Sequence, residues 1–349
     1  MSKINTIKFK PTQVVKALLA VLSERARDVV ERRYGIVGKD AEGMTLESIG
    51  SIYNITRERV RQIENFAIDA IRKSEAYLKA KPAFDELEDY LAKHGGVAKE
   101  ERIISDLSAD KTTQNQIIFL LNLGDSFVRL KEDEHLHHRW TTDEETAEKV
   151  GESLKDLHKS LTYADLVSEA EMLERFAQNL HGDIKEFANS EQSRKWLDLS
   201  RMVSTNPLGE WGLSDSPSIK TRGIKDYAYL VMRRHGKPLH FTEVAKKITD
   251  LFDREAHTAT CHNELIKDDR FVLVGRGLYA LSEWGYTNGV VRDVLRSILK
   301  QKGPLSKENI TNEVLKQRQV KENTIYVNLQ NPKYFRRDEK GRYALVSGN

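Results

Sequence analysis

A single cysteine, Cys261, stands in the 349 residues, so no intramolecular disulfide framework can form, and such usage suits a reducing cytosol. Net charge is nearly absent as well: 56 Lys and Arg against 53 Asp and Glu leave +3. No strong polycationic field follows, and any affinity for nucleic acid must come from local patches. No apolar run approaches the roughly eighteen residues needed to cross a bilayer, and the mean hydropathy is −0.57. A soluble chain with no membrane partner is expected. The one trap is Val14 to Leu22, an apolar stretch behind a basic N-terminus; Lys16 interrupts it and Ser23-Glu24-Arg25 replaces a small-residue cleavage site, so it reads as a first helix rather than a signal peptide. There is no Gly-rich phosphate loop, no paired-Cys zinc spacing and no recognisable catalytic carboxylate or Ser/His arrangement. The expectation is a non-enzyme with no catalytic residues, cofactor or metal.

What the chain does have is the run Thr56-Arg57-Glu58-Arg59-Val60-Arg61-Gln62-Ile63-Glu64, which divides a helix into a dry face and a polar one. Val60 and Ile63, continued by Ala67, Ala70 and Ile71, form a core-facing stripe. Arg57, Glu58, Arg61 and Gln62 share the opposite face, and Thr56 caps the helix, which puts this quartet in its first turns. Those turns are the part of a recognition helix that enters the major groove. There Arg is bidentate to guanine, Gln to adenine, and Glu accepts from cytosine. Ahead of it, Thr45 caps a short helix with Leu46, Ile49 and Ile52 inward, and Asn54 suits a left-handed turn at Tyr53-Asn54-Ile55. Thr45 to Arg72 thus reads as a helix-turn-helix. The competing reading is a solvated helical face with local i,i+3 and i,i+4 pairs.

LSERARDVVERRYGI followed by TLESIGSIYNITRERVRQIENFAIDAIRK resembles region 4 of sigma-70-type bacterial sigma factors. The resemblance implies that Arg57, Glu58, Arg61 and Gln62 contact a minus-35 promoter element. It also implies that helices within about Leu18 to Tyr34 dock on the β flap of RNA polymerase. The family's region 2, which melts the minus-10 element, has no recognisable counterpart, so initiation does not follow.

Beyond Ala76 the sequence repeats a pattern of two or three amphipathic helices and a short β-hairpin, with a period of roughly sixty to seventy residues that suits small domains. The closing hairpins are expected at Ser126–Lys131 with His135–Thr141, at Leu197–Ser204 with Glu210–Leu213, at Phe271–Val274 with Leu278–Leu281, and at Tyr334–Arg337 with Arg342–Leu345. Helices ending in such a hairpin are the image of a winged helix. The expected fold is mainly α, with tandem helix-turn-helix and winged-helix modules: 1–80, 81–142, 143–219, 220–286 and 287–349. In the fourth of these, GKPLHFTEVAKKI and HNELIKDDRFVLVGRGLYALSEWGY resemble the HARE-HTH winged helix, a family shared by the RNA polymerase δ subunit, chromatin regulators and some restriction enzymes.

In the last module Lys321, Asn323, Thr324 and Asn328 on a helix, with Arg336, Arg337, Lys340 and Arg342 on the wing, are candidate phosphate contacts; a protein-binding winged helix made soluble by the same residues is the alternative. The acidic turn Glu132-Asp133-Glu134 would repel DNA. His135, His137 and His138 lack a fourth ligand and read as wing structure rather than metal site. Adjacent Cys261 and His262 do not face each other on a helix, and Trp140, Trp211, Trp284 and Tyr343 recur where a wing packs on its helices.

These readings lead to a sequence-specific DNA-binding transcription regulator, cytoplasmic and nucleoid-associated in a bacterium, with double-stranded DNA and RNA polymerase, through its β flap, as partners. The alternative is a δ-like polymerase accessory protein binding mainly protein. A weaker one is a factor linked to DNA modification or restriction.

Overall fold

The computed structural model describes residues 7–36, 42–286, 291–318 and 320–346; the expected start of the last module, residue 287, lies outside them. Among the described residues there are eighteen α-helices, and the strands are short and confined to small antiparallel sheets. The protein is mainly α, built of helix-turn-helix and winged-helix elements. Two compact units divide it: Met1–Ser204 with Trp211–Ser214, and Thr205–Glu210 with Asp215–Asn349.

The first unit opens with helices Pro11–Leu19, Glu24–Tyr34, Leu46–Tyr53 and Arg57–Arg72. Thr45 and Thr56 cap the last two, each hydroxyl accepting a backbone N–H three residues on, from Ser48 at 3.1 Å and Arg59 at 3.2 Å. Asn54 ends the Leu46–Tyr53 helix at φ 53°, a left-handed turn that Asn tolerates better than most residues. The two helices close on a small core of Val29, Ile49 and Val60, with Met44, Leu46, Tyr53, Ile55 and Ile63 around it. Ile52, expected inward, is 49% exposed. The buried stripe runs through Leu46, Ile49 and Tyr53, at i, i+3 and i+7, and Ile52 lies to one side of it.

Helices Glu75–Lys79, Lys81–Lys93, Glu100–Leu107 and Lys111–Leu123 follow. Their sheet has three strands, in the order Val97–Lys99, Arg139–Thr141, Val128–Leu130. Only the last two were expected, since Val97–Lys99 is too short to show an alternating pattern. One hydrophobic cluster extends from Val15 to Trp140, across residue 80, where the sequence reading ends its first module.

Helices Glu144–Ser160, Glu169–Gln178, Ile184–Phe187 and Ser190–Leu197 pack around a second cluster with Trp196 and Trp211. The expected strand Leu197–Ser204 shrinks to Val203–Thr205, because the preceding residues bond elsewhere: His137 N–H donates to Leu199 O at 3.0 Å and Arg201 N–H to His135 O at 2.8 Å. The acidic turn is held there too, Glu132 pairing with Arg201 at 3.1 Å and Asp133 accepting from the His135 and Leu136 amides.

In the second unit, helices Ile224–His235, Phe241–Phe252 and Thr258–Lys267 support a three-stranded sheet ordered Leu239–His240, Leu278–Leu281, Phe271–Gly275. Helices Val291–Lys302, Lys307–Gln317 and Glu322–Leu329 then precede the hairpin Phe335–Arg337 and Tyr343–Leu345. Trp140 and Trp211 are buried, while Trp284 and Tyr343 pack half-buried against their modules' cores, as a wing-packing role requires.

Candidate nucleic-acid interface

The Arg57–Arg72 helix buries Val60, Ala67 and Ile71 completely, and this fixes what its other face must show. Arg57, Glu58, Arg61 and Gln62 are all exposed. They are not independent. Arg61 makes a two-pronged hydrogen bond to Glu58, Nε to Oε2 at 2.9 Å and Nη2 to Oε1 at 2.6 Å. The Arg61 guanidinium holds the Glu58 carboxyl below its usual range. Such a pair on a fully solvated helix adds little stability, but it orients two planar groups side by side.

Gln62 has a similar neighbour. Arg59 Nη1 donates to Gln62 Oε1 at 3.0 Å, while the Gln62 amide also hydrogen-bonds the Glu58 carboxylate. Sequence reasoning passed over Arg59, although its spacing of three from Gln62 places the two together. It also passed over Arg25 and Phe66. A groove of about 480 Å³ is lined by Ser23, Arg25, Ala26, Arg59, Gln62, Ile63 and Phe66, so the face continues onto the start of the Glu24–Tyr34 helix. Arg25 stacks over the Tyr53 ring at 5.2 Å, and the Tyr53 hydroxyl donates to Asp28. Phe66, one turn beyond Gln62, is 71% exposed; its position outside the dry stripe was the available signal.

Thr45 and Thr56 are exposed caps whose oxygens accept from the backbone, and the Thr45 hydroxyl also hydrogen-bonds the Ser48 hydroxyl at 2.9 Å. Arg33 braces the motif from behind through the Met44 carbonyl at 3.0 Å and Glu64 at 3.7 Å.

The corresponding third helix of the second unit, Thr258–Lys267, presents another chemistry. Thr258, Ala259, Thr260, Asn263 and Ile266 are exposed, Ile266 by 62%, and no cation appears before Lys267. Lys225 faces Asp268 at 3.6 Å and Arg233 faces Glu210 at 3.1 Å. Cys261 is buried on this helix, and burial pushes its thiol up to about 11, so nucleophilic chemistry is disfavoured.

In the last module Lys321 is the residue before helix Glu322–Leu329, with Asn323 exposed in its first turn. On the hairpin Arg336 and Lys340 are exposed, Arg337 lies over the Tyr343 ring at 5.4 Å, and Arg342 pairs with Asp338 at 2.9 Å. The structure therefore leaves Lys321, Asn323, Arg336 and Lys340 displayed and engages Arg337 and Arg342 locally.

Two segments match family models: residues 18–73 that of sigma-70 region 4, and residues 222–284 that of HARE-HTH, the HTH domain named for ASXL and restriction endonucleases among others. Curated relatives align with the first of these regions. The RNA polymerase sigma factor SigA1 of Synechococcus elongatus is 47% identical over 58 residues, 17% of this chain and 14% of its own. SigA of Microcystis aeruginosa is 51% identical over 55 residues, 16% of this chain and 13% of its own. RpoD of Helicobacter pylori is 43% identical over 58 residues, covering 17% and 8%. The chain thus spans about one-seventh or less of the length of these relatives. Residues 18–73 match the sigma-70 region 4 family and residues 222–284 the HARE-HTH family, two transcription-linked helix-turn-helix types within one chain.

Proposed function

We propose that this protein is a sequence-specific DNA-binding transcription regulator that acts with RNA polymerase in the bacterial cytoplasm, at the nucleoid. The observation that carries the reading is the exposed set Arg57, Glu58, Arg61 and Gln62, the last three held by side-chain hydrogen bonds, at the start of a Thr56-capped helix, inside a segment alike to sigma region 4. Arg57 and Arg61 supply guanine or phosphate contacts, Glu58 and Gln62 discriminate bases, and Arg59 positions Gln62. Thr45 and Thr56 donate to the DNA backbone at the edge of the motif. Each good bidentate contact is worth about 1–3 kcal/mol of discrimination. Lys321, Asn323, Arg336, Arg337, Lys340 and Arg342 add phosphate contacts from the last module, the paired two by exchanging partners.

Selection of bound sequences from random duplex DNA, run with and without RNA polymerase, tests this function. Enrichment of one motif supports it; no enrichment in either arm refutes it. A second reading is favoured at one place. The neutral, apolar-tipped face of Thr258–Lys267 suits protein rather than phosphate, so the HARE-HTH-like module acts as an adaptor to the transcription machinery. Polymerase retention that survives nuclease and high salt would support that role.

A further inference from the structure

Helices Pro11–Leu19 and Glu24–Tyr34, with the turn between them, carry an apolar face, Val15, Leu18, Leu22, Ala26 and Val30, beyond the small core that holds the helix-turn-helix. Left open, such a face would be a docking site for an amphipathic helix. It is not open. The helix Lys111–Leu123 belongs to the same cluster, with Ile117, Phe119 and Leu120 fully buried. Phe119 meets the Tyr34 ring edge-on at 5.2 Å.

Polar contacts fasten the helix along its length. Thr12 donates to Gln116 at 3.0 Å, Asn115 donates to the Gly35 carbonyl at 2.9 Å, and Arg72 donates to the Leu123 carbonyl at 2.9 Å while pairing with Asp125 at 3.2 Å. Gly35 is part of the fit: it has φ 61°, and a Cβ there would stand 2.8 Å from the Asn115 side chain. The middle and the C-terminal end of the helix are thus tied to separate points of the first four helices.

We infer that Lys111–Leu123 is a permanent partner helix supplied in cis, so that the DNA-reading domain is pre-assembled. A polymerase contact through Leu18 to Tyr34, which the sigma resemblance implies, is then redirected to other surfaces. The structural half of this inference stands by itself; its consequence for polymerase rests on the proposed function. Continuity of the core argues for permanence over a displaceable cover, because separating the helix would expose fully buried side chains on both sides of the seam.

Native-state hydrogen exchange on the full chain decides the structural half without any partner. Amides of Ile117 to Leu121 and of Leu18, Val29 and Val30 open as one cooperative unit, with protection within about tenfold of each other. Exchange of Lys111–Leu123 on the order of a hundredfold faster than Leu18 to Val30 overturns the inference. The consequence is read with Lys16→Cys/Thr112→Cys, two positions lining one groove at the seam, bridged by a short bis-maleimide or capped singly. Bridged and capped proteins bind duplex DNA and polymerase alike. Loss of polymerase binding on bridging alone shows that the helix must leave, and overturns it. Absence of all binding in both forms counts against the proposed function, while the exchange result still decides the inference.

Discussion

Two helices in this protein occupy the same place in a helix-turn-helix and show opposite surfaces. Arg57–Arg72 displays Arg57, Glu58, Arg59, Arg61 and Gln62, whereas Thr258–Lys267 displays Ala259, Asn263 and Ile266. Their buried sides are of one kind: Val60, Ala67 and Ile71 in the first, Cys261 and Leu265 in the second. The difference teaches that the apolar stripe builds the fold and says little about the ligand. The exposed positions decide between a phosphate-rich duplex and a protein surface.

The comparison can be broken most forcefully from the inside. Ile49→Ala removes a fully buried side chain from the three-residue core beneath the first helix and should destabilise it by about 2–5 kcal/mol. Denaturant unfolding reads the loss, and duplex binding should fall with it although no exposed residue has changed. Next in size, Arg57→Ala with Arg61→Ala should weaken duplex binding by roughly one to two orders of magnitude. The slope of log affinity against log salt should become shallower by about 2. A salt series on a fluorescent duplex measures both.

Ile266→Glu sharpens the contrast from the other side. Duplex affinity should stay within about twofold, as for an ordinary surface change, while polymerase retention drops; equal loss of duplex affinity would erase the distinction. The smallest effect concerns His94, a buried residue just after helix Lys81–Lys93, stacked on Tyr90 at 4.1 Å with Nδ1 2.8 Å from the Tyr90 carbonyl. Burial pushes its imidazole below the ordinary value of 6.5, the Tyr90 carbonyl opposing. The unfolded chain therefore binds a proton first, and stability is lost as pH falls through 6.5, levelling below the depressed folded value. Unfolding midpoints between pH 7.5 and pH 5, on the order of two pH units across the titration, should decline in the wild type and flatten in His94→Gln.

The helix-turn-helix was legible in the sequence because its signals are local. Caps at Thr45 and Thr56, a left-handed Asn54 and a 3.6-residue stripe each involve residues within one or two turns. That Arg57, Glu58, Arg61 and Gln62 share an exposed face was legible for the same reason. What escaped in the fold is non-local. Strand Val97–Lys99 exists only because Arg139–Thr141 lies beside it, and the shortened strand at Val203 reflects bonds made by the distant loop His135–His137. The fusion of the first helices with Lys111–Leu123 depends on contacts 51 to 104 positions apart in sequence, such as Arg72 with Leu123 and Thr12 with Gln116, which no periodicity reports. Arg25 joined the candidate site only when the fold brought Ser23 and Arg25 beside Arg59 and Gln62.

The central claim is that the exposed quartet reads bases, and parallel binding-site selections with wild-type protein and Glu58→Ala/Gln62→Ala test it most directly. The account predicts that the wild type enriches one motif and that the variant keeps affinity for bulk duplex while its preference at two or more positions collapses. Enrichment of the same motif to the same degree by both proteins would contradict it.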